Sequence, residues 1–432
     1  MQEKNEDISI RPTSEAEGLS YGQMVRSQFR KNRMAVWSLR LLKGLIFIAV
    51  FGSFLANERP LYCKIEGQTY FPVFKQMAVD LGIGNWESQF VSRDWKDQNF
   101  ERVLMPFIPY SYNTQDLMNS FVGPFDKQRV DSRRWRHWLG TDNLGRDVVA
   151  GLVHGTRIAL LTGFIAMSIA ALIGIFFGAV AGYFGDDKLK VSGVRIVMNI
   201  AGFFLALFYG FLSRSYALSE GKLGWELFKG ILIFSMVMVL FNLLASGLEK
   251  LPSVKKRFRL PADLLIMRLI EIMNSIPALL LLLSVVAIIQ KQSIFNVMII
   301  IGLIGWTGIA RFIRAELMRI RNLEYIQATR ALGFSEKYII LRHALPNAMG
   351  PVLISIAFGI ANAVLIEAFL SFLGIGLPAD MVTWGTMLNE ARNAFEAWWV
   401  ALFPGLAIFV TVTLFNLIGE GLTDAMDTRQ KR

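Results

Sequence analysis

Apolar runs long enough to cross a membrane alternate with short polar and basic stretches along most of this chain. A membrane-spanning helix needs about 20 predominantly apolar residues. Eight runs near that length are present, at positions 37–56, 158–184, 194–212, 225–248, 269–289, 294–309, 351–372 and 398–417. The pattern predicts an all-α, polytopic bundle of eight transmembrane helices.

Composition and charge agree with a membrane protein. Of the 432 residues 53% are hydrophobic and 18% charged, and the mean hydropathy is +0.43, which is too apolar for a soluble domain of this length. The formal net charge of +11 does not indicate nucleic acid, because the cations cluster at the ends of apolar runs. Six cations and no acid lie between Arg26 and Lys43, which predicts a cytoplasmic N-terminal side.

The stretch from 57 to 154 is polar and rich in Trp and Tyr, and we expect a folded extracytoplasmic loop. Its end, from His137 to Asp147, places glycines beside Thr and Asp, a pattern more typical of turns and a helix cap than of a catalytic cluster. The single cysteine, Cys63, excludes an internal disulfide framework, and three scattered histidines suggest no metal site. No phosphate-binding loop of the Gly-x-x-x-x-Gly-Lys-Ser/Thr type occurs, so we expect no ATP site and no catalytic residue in this chain.

A polar and basic segment, 323–347, interrupts the apolar pattern. Good helix formers lead up to Gly333, which is expected to end a first short helix in the left-handed conformation. Ser335 is a suitable cap for a second helix, and Pro346 is expected to end it. The segment is predicted to be a helix, a glycine turn and a helix at the membrane surface.

One face of the first short helix is suited to close approach by another protein. Tyr325, Ala328 and Leu332 share this face, with Ala331 beside them, and small alanines let a second surface come near. The alternative is an ordinary connecting loop in which the alanines only favour helix.

The same segment resembles the cytoplasmic EAA loop of ABC importer permeases. Gln327-Ala328-Thr329, then Gly333, then Leu345-Pro346 follow the order of that motif. The chain departs from it with Gln327 in place of Glu, Thr329 in place of the second Ala and His343 in place of Ile. Further sequence motifs resemble those of the dipeptide, oligopeptide and nickel branch of the family. They are Tyr325, Ala331-Leu332-Gly333, 342–347, 137–147 and 416–422.

One insertion departs from this branch. In the branch, the motif that Gly182-Tyr183-Phe184-Gly185 matches is followed almost directly by the motif that begins in this chain at Asp263. About 75 residues separate the two motifs here. The two apolar runs within them predict an added transmembrane hairpin at about 190–250, with a re-entrant or surface-lying pair as the alternative. Gly174, Gly178 and Gly182 recur every fourth residue and predict a face for close helix packing.

Three residues within the apolar runs are candidates for a translocation pathway. Glu367 and Asn362 are polar groups inside a predicted span, where a carboxylate costs about 2.5–3.5 kcal/mol on insertion scales. Pro277 breaks a span in the way that often lines a cavity. For Glu367 the alternative is a structural role that ties helices together.

The resemblance implies a type I ABC importer permease: six core spans plus the inserted hairpin. It divides the chain into a cytoplasmic N-terminal segment (1–36), a first span (37–56), the extracytoplasmic loop (57–154) and a permease domain (155–432) with a coupling loop at about 315–347. The implied residues for coupling to an ATPase are Tyr325, Gln327, Ala328, Ala331, Gly333 and Pro346.

The resemblance also implies partners and a location. The partners are a second, similar permease, two cytoplasmic ATPases that use ATP and Mg, an extracytoplasmic binding protein and membrane lipid. The chain itself is expected to bind no cofactor, metal or nucleic acid. It would be a multi-pass protein of the bacterial inner membrane with both termini in the cytoplasm.

Short peptides are the implied cargo, with nickel chelates or peptide-like compounds as alternatives within the family. Two alternatives come from other classes. A proton-coupled transporter would use Glu367 without ATP, and a membrane scaffold would carry no cargo.

Overall fold

The computed structural model describes residues 21–80, 82–86, 90, 95–96, 98–214, 223–251, 257–288, 292–378, 380–392 and 394–426. The start of the predicted N-terminal segment and the last residue of the predicted span 269–289 lie outside the described residues. The described chain is predominantly helical, with two small sheets. The predicted all-α class is confirmed.

The helices follow the apolar pattern in chain order. They are α1 Tyr21–Lys31, α2 Arg33–Leu55, α3 Pro72–Asp80, α4 Val148–Ala179, α5 Gly193–Gly210, α6 Leu223–Leu248, α7 Ala262–Ser275, α8 Ala278–Ile288, α9 Ile294–Ile320, α10 Glu324–Ala331, α11 Glu336–Ile339, α12 Leu345–Phe372, α13 Trp384–Ala391 and α14 Trp398–Met426.

Seven helices of the described chain are long and apolar enough to cross a membrane, and the count reaches eight if a bent pair forms one span. The bent pair is α7 and α8, which meet at Ile276-Pro277 with a change of direction of 83°. The break that the sequence predicts at Pro277 is present. Proline lacks the N–H that a helix interior requires, and its ring clashes with the preceding turn.

The helix α4 begins earlier than the predicted run at 158. Asp147 caps it, since its Oδ1 accepts a hydrogen bond of 2.8 Å from the Ala150 N–H. The stretch between α2 and α4 consequently ends at Asp147, seven residues before the predicted boundary at 154.

The stretch after α2 contains a small three-stranded antiparallel sheet in the order β2-β1-β3. Its strands are β1 Tyr62–Ile65, β2 Gln68–Tyr70 and β3 Arg102–Leu104, and Cys63 is paired with Tyr70 on one side and Val103 on the other. Buried Cys63, Ile65, Phe90 and Trp95 form its core. Burial raises the pKa of the Cys63 thiol to about 11, so this thiol stays protonated at neutral pH.

The inserted residues form a helical hairpin. The helices α5 and α6 pack on each other where small residues allow it: a side chain at Gly210 would lie 2.9 Å from the Gly230 carbonyl oxygen. A two-stranded ribbon, β4 Lys190–Ser192 with β5 Arg257–Arg259, closes the base of the hairpin. Arg195 forms a salt bridge of 2.7 Å with Glu249 beside it.

The predicted glycine face packs against α9 at two of its three positions. A side chain at Gly174 would lie 2.8 Å from the Ile309 Cβ, and one at Gly182 would lie 2.6 Å from the Arg314 carbonyl oxygen. Real Cβ contacts are longer than either value. Glycine is therefore required for this close helix contact at both positions.

The chain divides into two compact units. The larger comprises Met1–Ile175, Asn274–Ile313 and Pro346–Arg432. The smaller comprises Phe176–Met273 and Arg314–Leu345, and so contains both the hairpin and most of the predicted coupling loop.

Candidate functional site

The predicted docking segment has the local structure that its sequence indicates. Gly333 follows the first short helix with φ of +82°, and its N–H donates to the Arg330 carbonyl at 3.0 Å. The Ser335 hydroxyl accepts a hydrogen bond from the Tyr338 N–H at 3.4 Å and caps the second helix. The glycine turn and the serine cap are both confirmed.

The predicted helix end at Pro346 is wrong. Leu345 has helical backbone angles (φ −63°, ψ −45°), and Pro346 is the second residue of α12. A turn of π-helix, Ile340–Ala344, joins α11 to α12, and the Leu345 N–H donates to the Ile340 carbonyl. Proline fits there because an N–H in the first turn of a helix needs no intrahelical acceptor.

The candidate coupling residues lie largely at the surface of the segment. Tyr325, Gln327, Ala328, Ala331, Gly333 and Pro346 are all exposed. Three large apolar neighbours are exposed as well, with Leu332 at 76%, Phe334 at 46% and Tyr338 at 44%. Phe334 and Tyr338 stack with their ring centroids 5.1 Å apart. We define the coupling face as Tyr325, Ala328, Leu332, Phe334 and Tyr338.

The opposite side of the segment is anchored. Ile326 and Ile339 are completely buried, one from each short helix. Burying side chains of this size stabilises a segment by roughly 1.5–3 kcal/mol each. With these anchors on one side, the other side of the segment presents the exposed coupling face.

Polar links from the end of α4 brace the turn between the two short helices. Glu336 accepts hydrogen bonds from the Arg330 Nε at 2.8 Å and from the Tyr183 hydroxyl. Arg330 Nη2 in turn lies 3.1 Å from the Tyr183 hydroxyl. The hydrogen bond to Glu336 raises the pKa of Arg330, so this guanidinium stays charged. We define Tyr183, Arg330 and Glu336 as the brace.

Two further arginines fix the end of α9, from which the segment departs. Arg321 donates to the Gly182 and Tyr183 carbonyls at 3.0 and 3.3 Å. Arg314 forms a two-pronged salt bridge with Asp263, its Nη2 lying 2.7 Å from Oδ2. Such paired hydrogen bonds fix orientation as well as distance.

Sequence reasoning missed the brace and these two arginines. Tyr183 and Asp263 both belong to sequence motifs that resemble the family, but the residues they pair with lie far away in the chain. Side-chain pairing over 153 residues, as between Tyr183 and Glu336, leaves no periodic signal in one sequence.

The larger unit contains a mostly apolar cavity of about 540 Å³. Its lining includes Ala278 and Leu279 just after Pro277, together with polar groups from three helices: Asn274, Thr307, Ser355 and Asn362. The Thr307 hydroxyl lies 3.2 Å from the Asn274 Oδ1. The candidate pathway residue Asn362 therefore lines this cavity. Pro277 lies at the break between α7 and α8, directly before the lining residue Ala278.

Glu367 has a different environment. It is 1% exposed, and its carboxylate accepts a hydrogen bond of 2.7 Å from Ser371, one turn further along α12. It also interacts with the side chain of buried Thr383. Its neighbour Ile366 lines the cavity, whereas Glu367 is held by hydroxyl groups from two segments.

The His137–Asp147 stretch forms turns and a cap, in agreement with the prediction. Asp142 Oδ1 accepts hydrogen bonds from the Leu144 and Arg146 N–H groups, at 2.9 and 2.8 Å. Arg146 pairs with Asp142 at 2.6 Å and with Glu390 of α13. Burial, and then the nearby Asp142 charge, raise the pKa of Glu390 to about 7.

Within the described residues, no three His, Cys, Asp or Glu side chains are grouped so that they could hold a metal ion. His137 has acidic neighbours: Asp147 lies 2.9 Å from its Nδ1, and Asp116 lies 3.5 Å from its Nε2. The His137 ring also stacks on Tyr110 at 4.2 Å. These contacts place His137 in the packed interior of the loop.

Two family models match the chain. The model described as "Binding-protein-dependent transport system inner membrane component" matches residues 253–432. The model described as "N-terminal TM domain of oligopeptide transport permease C" matches residues 20–71. Between them they cover the first membrane helix, the docking segment and the cavity-lining helices of the second half.

Curated relatives match over most of the chain. The peptidoglycan transport system permease protein YejE of Agrobacterium fabrum is 27% identical over 93% of this chain and 91% of its own length. The inner membrane ABC transporter permease protein YejE of Escherichia coli is 27% identical over 93% and 95%. The dipeptide transport system permease protein DppC of Alkalihalophilus pseudofirmus is 29% identical over 72% and 79%.

Proposed function

Because the chain belongs to the family of inner membrane components of binding-protein-dependent transport systems, we propose that it is the membrane-spanning permease subunit of an ATP-driven importer of short peptides. The chain is a multi-pass inner membrane protein and a transport subunit. Peptide cargo is supported by the names of its relatives, which include dipeptide, oligopeptide and glutathione permeases. Nickel chelates and peptide-like compounds remain the alternatives within the family.

The observation that carries the proposal is the docking segment. An exposed apolar coupling face lies on two short helices that are anchored by Ile326 and Ile339 and held by the brace. An apolar face on an otherwise polar segment is typical of a protein interface. A braced segment can also transmit movement as a rigid body.

We assign the coupling face to a cytoplasmic ATPase partner. Closure of the ATPase on ATP moves the two short helices together, and the continuous run from Glu336 to Phe372 carries that movement into the cavity wall. ATP favours one of two conformations because its affinity for them differs. The chain itself performs no covalent chemistry and contributes shape and mechanical coupling.

The proposed assembly has two ATPases and a second permease of this family, with a binding protein at the extracytoplasmic face. A cytoplasmic docking segment is supported by its charge, since seven Lys and Arg against three Asp and Glu lie between Arg311 and His343. We propose that both termini lie on the same side. Peptides would cross through the cavity near Asn362.

Proton-coupled transport is the weaker candidate. It depends on Glu367, and hydrogen bonding to Ser371 and Thr383 leaves this carboxyl with a structural task between α12 and the start of α13. It also gives no role to the coupling face. A scaffold without cargo gives no role to the cavity.

The test depends on the backbone conformation at Gly333 and not on the room for a side chain there. No heavy atom lies within 4 Å of a side chain placed there, so only the positive φ opposes substitution. A β-branched residue in that conformation costs about 1–2 kcal/mol, whereas Asn visits it readily. We expect Gly333→Val to insert normally but to lose co-purifying ATPase and peptide uptake, as we also expect of Gly333→Asp to a lesser degree.

Gly333→Asn is the matched control and should retain most of both activities. Uptake by Gly333→Val at the rate of the unaltered protein would contradict the assignment of the coupling face. Absence of any ATPase from the unaltered protein and from all three variants, under conditions that keep related complexes intact, would contradict the importer itself.

A further inference from the structure

Three glycines of α9 lie three residues apart and differ in what an added side chain would meet there. At Gly302 it would lie 2.7 Å from the Ala166 carbonyl oxygen, so glycine is required for the contact with α4. At Gly305 it would lie 3.6 Å from the Ala170 Cβ, an ordinary contact. At Gly308 it would meet no heavy atom of the described chain within 4 Å, and this position lines the mostly apolar cavity of about 540 Å³. Close packing therefore does not require glycine at Gly308.

Backbone geometry does not require glycine at this position either. Gly308 lies inside α9 and does not have a positive φ. Glycine in the interior of a helix is less favourable than alanine, since it loses more conformational freedom on folding. What glycine adds at this position is room, because any larger side chain would occupy part of the cavity.

The wall that this chain gives to the cavity is uncharged. Its polar side chains are neutral amides or hydroxyls, from Asn274, Thr307, Ser355 and Asn362. Among the residues that the structure describes, no Asp, Glu, Lys, Arg or His side chain lines this cavity, and Arg311, one turn beyond Gly308, lies outside the lining. Amides and hydroxyls can exchange hydrogen bonds with the peptide bonds that all peptides share. A charged side chain would lose its hydration in this cavity without gaining a counter-charge.

On the basis of the proposed import of peptides, we propose that this cavity receives a side chain of the transported peptide and favours an uncharged one, and that Gly308 determines how large that side chain can be. The apolar part of the lining, which includes Leu282, Ile301 and Ile304, favours an aliphatic or aromatic side chain. The neutral amides and hydroxyls accommodate the adjoining peptide bonds. The permease subunit thereby adds a selection of its own to any made by the binding protein.

Uptake of four tripeptides by the complete transporter in proteoliposomes tests the proposal. They are Ala-Ala-Ala, Ala-Phe-Ala, Ala-Lys-Ala and Ala-Glu-Ala, each at a saturating concentration, so that affinity for the binding protein does not enter the comparison. We expect the unaltered transporter to import the two uncharged peptides faster than the two charged ones. Gly308→Leu should lower the uptake of Ala-Phe-Ala relative to Ala-Ala-Ala roughly tenfold, because the added side chain fills the space. Gly308→Ala should give a smaller change in the same direction.

Gly44→Leu is the matched control for size. Gly44 also lies in a helix long enough to span the membrane, α2, and no heavy atom of the described chain lies within 4 Å of a side chain placed there. It does not line the cavity. Gly44→Leu should keep the uptake ratio of the unaltered protein, and both leucine variants should keep its unfolding midpoint, since neither side chain meets a described atom.

A second pair of variants changes charge instead of size. Asn362→Asp puts a carboxylate into the uncharged wall and should raise the uptake of Ala-Lys-Ala relative to Ala-Glu-Ala severalfold. Asn113→Asp adds the same charge at an exposed position outside the cavity lining and should not change this ratio.

Three results would each overturn the proposal: equal uptake of all four peptides by the unaltered transporter, equal size ratios in Gly308→Leu and Gly44→Leu, or equal charge ratios in Asn362→Asp and Asn113→Asp. Failure of the unaltered transporter to import any of the four would contradict peptide import itself, so the two kinds of failure can be distinguished.

Discussion

Two arginine clusters in this chain use the same residue types in opposite environments. In the brace, Arg330 and Glu336 have side chains that are 35% and 42% exposed. In the second cluster Arg146, Asp142 and Glu390 are 9%, 5% and 18% exposed, so one guanidinium balances two buried carboxylates. We refer to this second set as the buried cluster.

The difference decides what each cluster does. Water screens the brace, so its ion pair contributes little to stability, and its value is the geometry that it imposes on the docking segment. The buried cluster has lost that screening, and removal of one member leaves an uncompensated charge. The buried cluster should therefore control stability, and the brace should control coupling.

The largest effect is expected from Arg146→Met. This change leaves Asp142 and Glu390 buried without their cation, which costs about 3–5 kcal/mol. The thermal unfolding midpoint of the purified protein, followed by intrinsic fluorescence, should fall clearly. Arg133→Met removes an exposed arginine of the same loop and should change stability by less than about 0.5 kcal/mol.

A second substitution tests whether the lost stability arises from this cluster. Glu390→Gln combined with Arg146→Met should be less destabilising than the sum of the two single changes, because it removes one of the stranded charges. If the two destabilisations simply add, the members of the buried cluster do not interact. The same holds if Arg146→Met unfolds at the same temperature as Arg133→Met.

The next effect concerns pH. The pKa of Glu390 is raised from 4.5 to about 7 by burial and by Asp142, so the folded protein binds a proton there that the unfolded chain has released. The stability from this group is complete below about pH 4.5 and is lost as the pH rises through about 7. The change is on the order of 3 kcal/mol, from 1.36 kcal/mol per pKa unit.

Unfolding midpoints measured from pH 5 to pH 8 check this expectation. The unaltered protein should lose stability over that range through Glu390, and Glu390→Gln should remove that part of the slope. An identical slope in both proteins would assign the pH dependence to other groups.

Local rules in the sequence predicted much of the docking segment. The positive φ of Gly333, the Ser335 cap and the break at Pro277 each follow from the backbone chemistry of one residue and its neighbours. The rule for Pro346 failed because a π-turn placed the proline in the first turn of α12. Tertiary context replaced a local preference there.

Pairings between distant residues could not be predicted in the same way. Arg146 and Glu390 are 244 positions apart, and Arg330 and Tyr183 are 147 apart. Polarity alone indicated that these side chains needed partners, but many partners of the right charge were available. The β-sheet between α2 and α4 was missed for a related reason, since its strands have only three or four residues and show no clear alternation.

The smallest effect on stability, and the sharpest test of the comparison, is expected from Tyr183→Phe. This change removes only the hydroxyl that links Glu336 and Arg330 to the end of α4, and it should cost about 1 kcal/mol or less. If the brace serves coupling, peptide-dependent ATPase activity of the assembled transporter should fall severalfold while the unfolding midpoint hardly changes. Tyr209→Phe removes an exposed tyrosine hydroxyl of α5, outside the brace and the coupling face, and is the matched control. A Tyr183→Phe protein that keeps full coupling would reduce the brace to an ordinary surface ion pair, because geometry is the main contribution that so exposed a pair as Arg330 and Glu336 can make.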